Sequence, residues 1–278
     1  MGAGAVLVVV AAGLGIGGEL SGTGGDTETS DGPPTSSAPP TTTDAPTTTS
    51  TAPPTTTTAP PTTTTVPPTT TTTAPPDPAA DGTLELGERG PAVLALQQHL
   101  VRLGYWLGSA DGTYGQLTRQ AVMAFQKAEG LGRDGVAGPV TQGRLAGAQR
   151  QASRAGGTGL EIDLERQILM IVQGGQVRWV LNTSTGNNET YTSSTGGSAV
   201  AATPPGSFTI GREIDGVREA PLGTLYRPKY FNGGIAIHGS GSIPARPASH
   251  GCARVTNSAM DMLWASGVAA IGTPVSVY

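Results

Sequence analysis

Residues 26–80 are dominated by Thr, Pro, Ser and Ala, as in TTTTAPPTTTTVPPTTTTTAPP. A stretch of this kind has almost nothing to bury, so it cannot offset the entropy of ordering its own backbone. It reads as a disordered, Pro-stiffened Thr/Pro-rich linker over residues 21–82. At ~3.1 Å per residue in polyproline II, residues 26–80 reach about 170 Å at most. An inert spacer and a stalk holding a folded part away from a membrane fit it equally well. Any compact fold must be built from the residues that follow.

The linker is preceded by MGAGAVLVVVAAGLGIGG, a short apolar run that ends at Glu19. It is marginal in length for a membrane-spanning helix and has the character of the apolar core of an export signal. Residues 1–20 are therefore expected to be an export signal or membrane anchor, with the protein in the cell envelope. No Lys or Arg occurs before Arg89, so the basic flank usual for such signals is missing. Six of the twenty acidic residues precede residue 81, and the remainder carries 16 basic and 14 acidic residues. With no basic run, nucleic acid is not an expected partner. A single cysteine, Cys252, rules out an internal disulfide, so the folded part relies on packing.

Helical periodicity begins after the linker. In GPAVLALQQHLVRLG, Val93, Leu96, Leu100 and Leu103 recur at helical spacing between Pro91 and Gly104. A second helix is expected from about Leu117 to Glu129, with Ala121, Val122 and Phe125 inward, and a short third one from Pro139 to about Leu145. DGTYGQLT (111–118) and DGVAGPVT (134–141) share the pattern D-G-x-x-G-x-x-T, a tight turn feeding a helix. Tyr105, Trp106 and Tyr114 can be read as a stacking surface for sugar or peptide, or as plugs in a very small core.

From residue 158 the period changes. LEIDLE alternates as a half-buried strand, QILMIV and QVRWVL flank the hairpin signal Gly174-Gly175, and SFTI, GIAIH and PVSVY read as further short strands. One helix is clear, at about Ser258–Ser266. The chain after residue 158 is thus a mostly-β domain. In IAIHGSGSIPARPASHGCARV, His238 ends an apolar strand and a Gly/Pro/Ser-rich loop returns to Cys252, 14 positions on. Read alone, Cys252 is a small buried hydrophobe as readily as a reactive thiol. A nearby imidazole can take its proton or stabilise the thiolate, and backbone N–H groups around Gly251 and Cys252 can hold an oxyanion. Arg254 can pair with a substrate carboxylate or anchor the loop. Cys252 with the two flanking histidines lacks a fourth soft ligand, and no metal or other cofactor is expected.

Two resemblances follow from these motifs. LGERGPAVLALQQHLVRLGYW, DGTYGQLTRQAVMAFQKAEGL and DGVAGPVT resemble the three-helix peptidoglycan-binding module, placed at residues 83–147. TPPGSF, HG and SHGCARV resemble the signature of the L,D-transpeptidase (YkuD-type) catalytic domain, placed at residues 158–278. The pair implies a multidomain protein: a small all-α module and a mostly-β, sandwich-like catalytic domain after the linker. It also implies acyl transfer on peptidoglycan stem peptides, with Cys252 as nucleophile, His238 as general base and the carbonyl of Gly239 orienting that histidine. Ser249, His250, Gly251, Arg254 and Tyr226 would shape the loop or bind substrate. The implied outcome is a 3→3 cross-link, with carbapenem-type β-lactams as inhibitors. Water or a protein lysine as acceptor would instead give an L,D-carboxypeptidase or a protein-anchoring enzyme. A catalytically silent wall-binding protein is the alternative from another class.

Overall fold

The computed structural model describes residues 82–193 and 195–278. The segment read as an export signal, and the linker apart from Gly82, lie outside the described residues. Three helices come first: α1 (Pro91–Arg102), α2 (Gln116–Ala128) and α3 (Pro139–Ala146). The strands β1 (Gly159–Asp163), β2 (Ile168–Gln173), β3 (Gln176–Asn182), β4 (Thr190–Thr192), β5 (Ser198–Val200), β6 (Gly206–Thr209), β7 (Arg212–Glu213), β8 (Val217–Ala220), β9 (Gly223–Asn232), β10 (Ile235–Ser240) and β11 (Ala253–Thr256) follow. Helix α4 (Asn257–Ser266) and β12 (Pro274–Val277) end the chain.

The doubled D-G-x-x-G-x-x-T motif is read by two buried glutamines. The Gln97 amide on α1 donates to Asp111 Oδ1 (3.1 Å), the Thr113 carbonyl (2.9 Å) and Thr118 Oγ1 (2.9 Å), and its oxygen accepts from the Gly112 N–H (2.8 Å). Gln126 on α2 repeats this on Asp134 (2.7 Å), the Val136 carbonyl (2.9 Å), Thr141 (3.2 Å) and the Gly135 N–H (2.8 Å). Each turn thus spends its Asp and Thr on satisfying a buried amide of the preceding helix, as a buried polar group requires. Tyr105 and Tyr114 have no exposed surface. Tyr105 meets Phe125 edge to face at 5.4 Å and Tyr114 donates to the Gly135 carbonyl at 2.9 Å. They plug the core, so neither offers a stacking face. Trp106 is half-buried and packs against the β-domain core.

Two larger sheets and the β4–β5 hairpin form the β domain. One has the order β3-β2-β1-β12-β6 and the other β11-β10-β9-β7, with β8 beside β9. Between them lies a core that includes Leu160, Ile162, Leu169, Ile171, Val255 and Leu263, a sandwich closed at one side by α4. The opposite face of β2 and β3, with Ile168, Met170, Val172, Val177 and Val180, joins the helical core in one cluster. The module and the β domain are therefore not separate bodies. Double-sided burial explains why QILMIV is apolar at successive positions. It also corrects the reading of LEIDLE as half-buried. All of β1 is buried, and Glu161 accepts hydrogen bonds from Ser153 Oγ, the Arg154 N–H (3.0 Å), the Ala155 N–H (3.2 Å) and Tyr278 Oη (2.7 Å).

Lys127 fastens the junction. Its side chain is 1% exposed, and Nζ donates to the carbonyls of Gln167 (3.1 Å) and Thr183 (2.9 Å). Burial first and Arg133 second push it down to about 7, against about 10.4 in an unfolded chain. Between those values the unfolded state binds the extra proton, so stability from this site rises with pH there and is constant below. The melting temperature of the native chain relative to Lys127→Met is expected to climb between pH 7 and 9 and to stay level from pH 5 to 7. A difference independent of pH throughout would show that Lys127 titrates normally.

Candidate active site

Strands β10 and β11 run parallel, with Ile237 opposite Ala253 and His238 opposite Arg254. Side chains alternate along each strand and opposed residues share a face. Ile237, Ala253 and Val255 enter the sandwich core. Ala236, His238, Cys252 and Arg254 are thereby turned to the other face. There Ala236 packs with Leu225, Tyr230 and Cys252, the floor of a pocket of about 560 Å³ whose lining includes His238, Cys252 and Arg254. The separation of 14 in sequence is closed by the strand register.

Cys252 is half-buried, and its Sγ accepts from the Ala236 N–H at 3.4 Å. Burial pushes the thiol up, while the Ala236 N–H and the positive charge of Arg254 pull less strongly the other way. Nδ1 of His238 lies 2.9 Å from the Gly239 carbonyl. A carbonyl only accepts, so Nδ1 carries the hydrogen and Nε2 of the neutral ring keeps its lone pair. Burial is the main effect that lowers the His238 pKa; the Gly239 carbonyl opposes it and Arg254 adds to it. The resting pair is a protonated thiol and a neutral imidazole.

The other expected residues divide. Ser249 Oγ donates to the Cys252 carbonyl (2.6 Å) and accepts the Gly251 N–H (3.0 Å). That N–H is thus occupied and is not available to an oxyanion. Gly251 has φ 133°, and a Cβ there would meet the Ala202 carbonyl oxygen at 2.8 Å, so the turn requires glycine. His250 is exposed and packs edge to face on Tyr191 of β4 at 4.8 Å, which ties the β4–β5 hairpin to the cysteine loop. Tyr226 does not line the pocket. Its hydroxyl donates to Asp261 Oδ1 (2.9 Å) and its ring fills the space a Cβ on Gly239 would need. It supports the histidine from behind rather than touching a ligand.

Several residues that position this site were not among the expected site residues. Thr203, within TPPGSF, donates to the Gly251 carbonyl (2.5 Å) and accepts the Gly186 N–H (3.0 Å). A motif upstream of the site thus holds the cysteine loop. The segment Thr183–Thr185 bonds on one side to the Arg254 backbone and on the other to the N–H groups of Ala248 and Ser249. Among the described residues no three His, Cys, Asp or Glu side chains cluster as metal ligands.

A thiol and a neutral imidazole facing one pocket from neighbouring strands can support nucleophilic acyl transfer, with Arg254 beside them. Comparison with known proteins gives this arrangement a family. Residues 157–277 match the L,D-transpeptidase catalytic domain, and residues 89–145 match a putative peptidoglycan binding domain. The crystal structure of an L,D-transpeptidase from Xylanimonas cellulosilytica is 50% identical, with a TM-score of 0.69; the match covers 72% of this chain and all of that one. The chain belongs to the L,D-transpeptidase family. Shorter matches include the N-acetylmuramoyl-L-alanine amidase CwlL of Bacillus licheniformis, 41% identical over 78 residues. The zinc D-Ala-D-Ala carboxypeptidase of Streptomyces albus G is 41% identical over 69. The chain spans only 22% and 26% of the length of these two relatives.

Proposed function

We propose that the protein is a cell-wall L,D-transpeptidase that forms 3→3 peptidoglycan cross-links through a thioester on Cys252. The observation that carries this reading is that His238, its Nδ1 held at the Gly239 carbonyl, lines the same pocket as Cys252. His238 takes the thiol proton as Sγ attacks the carbonyl of the third, diamino-acid residue of a tetrapeptide stem. The N–H of Cys252 itself, rather than that of Gly251, stabilises the oxyanion. Collapse breaks the bond to the terminal D-Ala, whose amine leaves with the proton from His238. An amine of a neighbouring stem then attacks the thioester, gives its proton to His238 and forms the cross-link, and Cys252 recovers its proton. With water as acceptor the same site is an L,D-carboxypeptidase, and with a protein lysine it is an anchoring enzyme.

The three-helix module, residues 83–147, would hold the site against its polymeric substrate, and the mature protein would act outside the membrane, in the wall. Support comes from the matched peptidoglycan binding domain. Incubating purified tetrapeptide stems with the protein is expected to release D-Ala and give a dimer lighter by one D-Ala than two stems, read by mass spectrometry. Monomeric tripeptide alone would assign water as acceptor. Cleavage inside the stem would contradict the proposal.

A further inference from the structure

The wall of the pocket away from Cys252 is basic. Arg212 on β7 and Arg218 on β8 both line it with Arg254, and among the described residues no Asp or Glu does. The register explains the convergence. Arg212 lies opposite Tyr230, and Arg218 opposite Leu225. Tyr230 and Leu225 form the pocket floor, so both arginines stand on the face that carries Cys252. The guanidinium of Arg212 lies 3.5 Å above the centre of the Tyr230 ring, which fixes its direction.

The nearby acids are spent elsewhere. Glu213 pairs with Lys229 at 2.6 Å, and Asp215 and Asp261 with Arg227 at 2.8 Å each. Glu219 accepts from Thr224 Oγ1 at 2.9 Å and does not itself line the pocket. Three arginines facing one cavity without a counter-charge repel one another unless a ligand brings negative charge.

Of the carboxylates on a stem tetrapeptide, that of the terminal D-Ala lies next to the attacked carbonyl, and Arg254, beside the reacting pair, is placed to take that one. Two further guanidinium groups call for a second. We infer that Arg212 and Arg218 form a specificity clamp for a free carboxylate on the side chain of the donor's diamino acid. The pocket would thus select a diamino diacid over the same residue with that carboxylate amidated, and over a diamino acid that lacks it. The inference rests on the proposed reading of the site and names its substrate class.

The test uses two synthetic tetrapeptide donors that differ only in that side-chain group, carboxylate or carboxamide. The full chain is expected to acylate with a kcat/KM roughly ten- to a hundredfold higher for the carboxylate, the size of one or two charge-assisted hydrogen bonds. In Arg212→Gln/Arg218→Gln the ratio falls to about one, whereas Arg212→Lys, which keeps the charge, retains part of it. Arg218→Gln alone, on an exposed side chain, lowers the ratio without the risk of disturbing Tyr230. Equal kcat/KM for the two donors in the full chain, or an unchanged ratio in the double variant, overturns the clamp. Direct binding of both peptides to Cys252→Ala separates this result from the fate of the acyl-transfer reading. A carboxylate preference in binding with no turnover by the native chain upholds the clamp and removes the reaction. Turnover of both donors with no preference does the reverse.

Discussion

Replacing Cys252 by alanine is expected to abolish release of D-Ala and cross-link formation while leaving the fold in place. The change removes one sulfur from a half-buried position at the rim of a small apolar group with Leu225, Tyr230 and Ala236. Its cost in stability is of the order of 1 kcal/mol, as for other small truncations. The chemical cost is total under the proposed mechanism, because the described residues offer no second thiol. Melting temperatures within about 2–4 °C of each other for the two proteins, with turnover only in the native one, are the expected pair of results. Turnover by Cys252→Ala would place the nucleophile elsewhere.

His238→Ala is expected to slow acylation by about 10²–10⁴-fold, the range that a positioned general base contributes. The size of the loss depends on pH in a direction set by the geometry. In the native chain the base works when neutral, and burial holds its pKa below the ordinary 6.5. Activity therefore rises with pH through a midpoint below 6.5 and is already level near pH 7. In the variant only the thiolate fraction reacts, and burial holds the thiol above its usual value of 9.0. Its rate should climb about tenfold per pH unit across pH 7–9, so the gap to the native chain narrows as pH rises. A pH-independent gap would show that His238 acts by shaping the pocket and not by accepting a proton.

Much of the architecture was legible in the chain. The change from helical spacing at Val93, Leu96 and Leu100 to strand patterns after residue 158 separated module from β domain. SHGCARV and the upstream HG carried the family resemblance in a few contiguous residues. What stayed hidden depended on partners distant in sequence. Gln97 and Gln126 look like ordinary helix-surface residues, and only the fold turns them onto the two D-G turns. Lys127 would be read as solvated, yet it is buried on carbonyls forty and fifty-six residues away. Tyr105 and Tyr114 offered two readings because an aromatic residue suits a core and a binding face equally well. The core was chosen by packing against Phe125 and the β2–β3 face. Tyr226 was placed among the loop-shaping or substrate-binding residues by the family resemblance, without a pattern of its own in the sequence. A positive φ at Arg227 interrupts the strand alternation there: Tyr226 faces Gly239, and Tyr230, four residues on, faces the pocket. Arg212 and Arg218 sit on strands too short and too polar to be seen in the sequence.

Under the proposed function, Cys252 becomes acylated with the help of His238. Intact-protein mass spectrometry after brief exposure to a carbapenem-type β-lactam tests it most directly, because ring opening by a thiol leaves the whole drug attached. One adduct of the drug's mass is expected, on the peptide containing Cys252. That adduct should form quickly in the native chain, slowly in His238→Ala at pH 7, and not in Cys252→Ala. An adduct on Cys252→Ala, or native and His238→Ala proteins acylating at equal rates at pH 7, would contradict it.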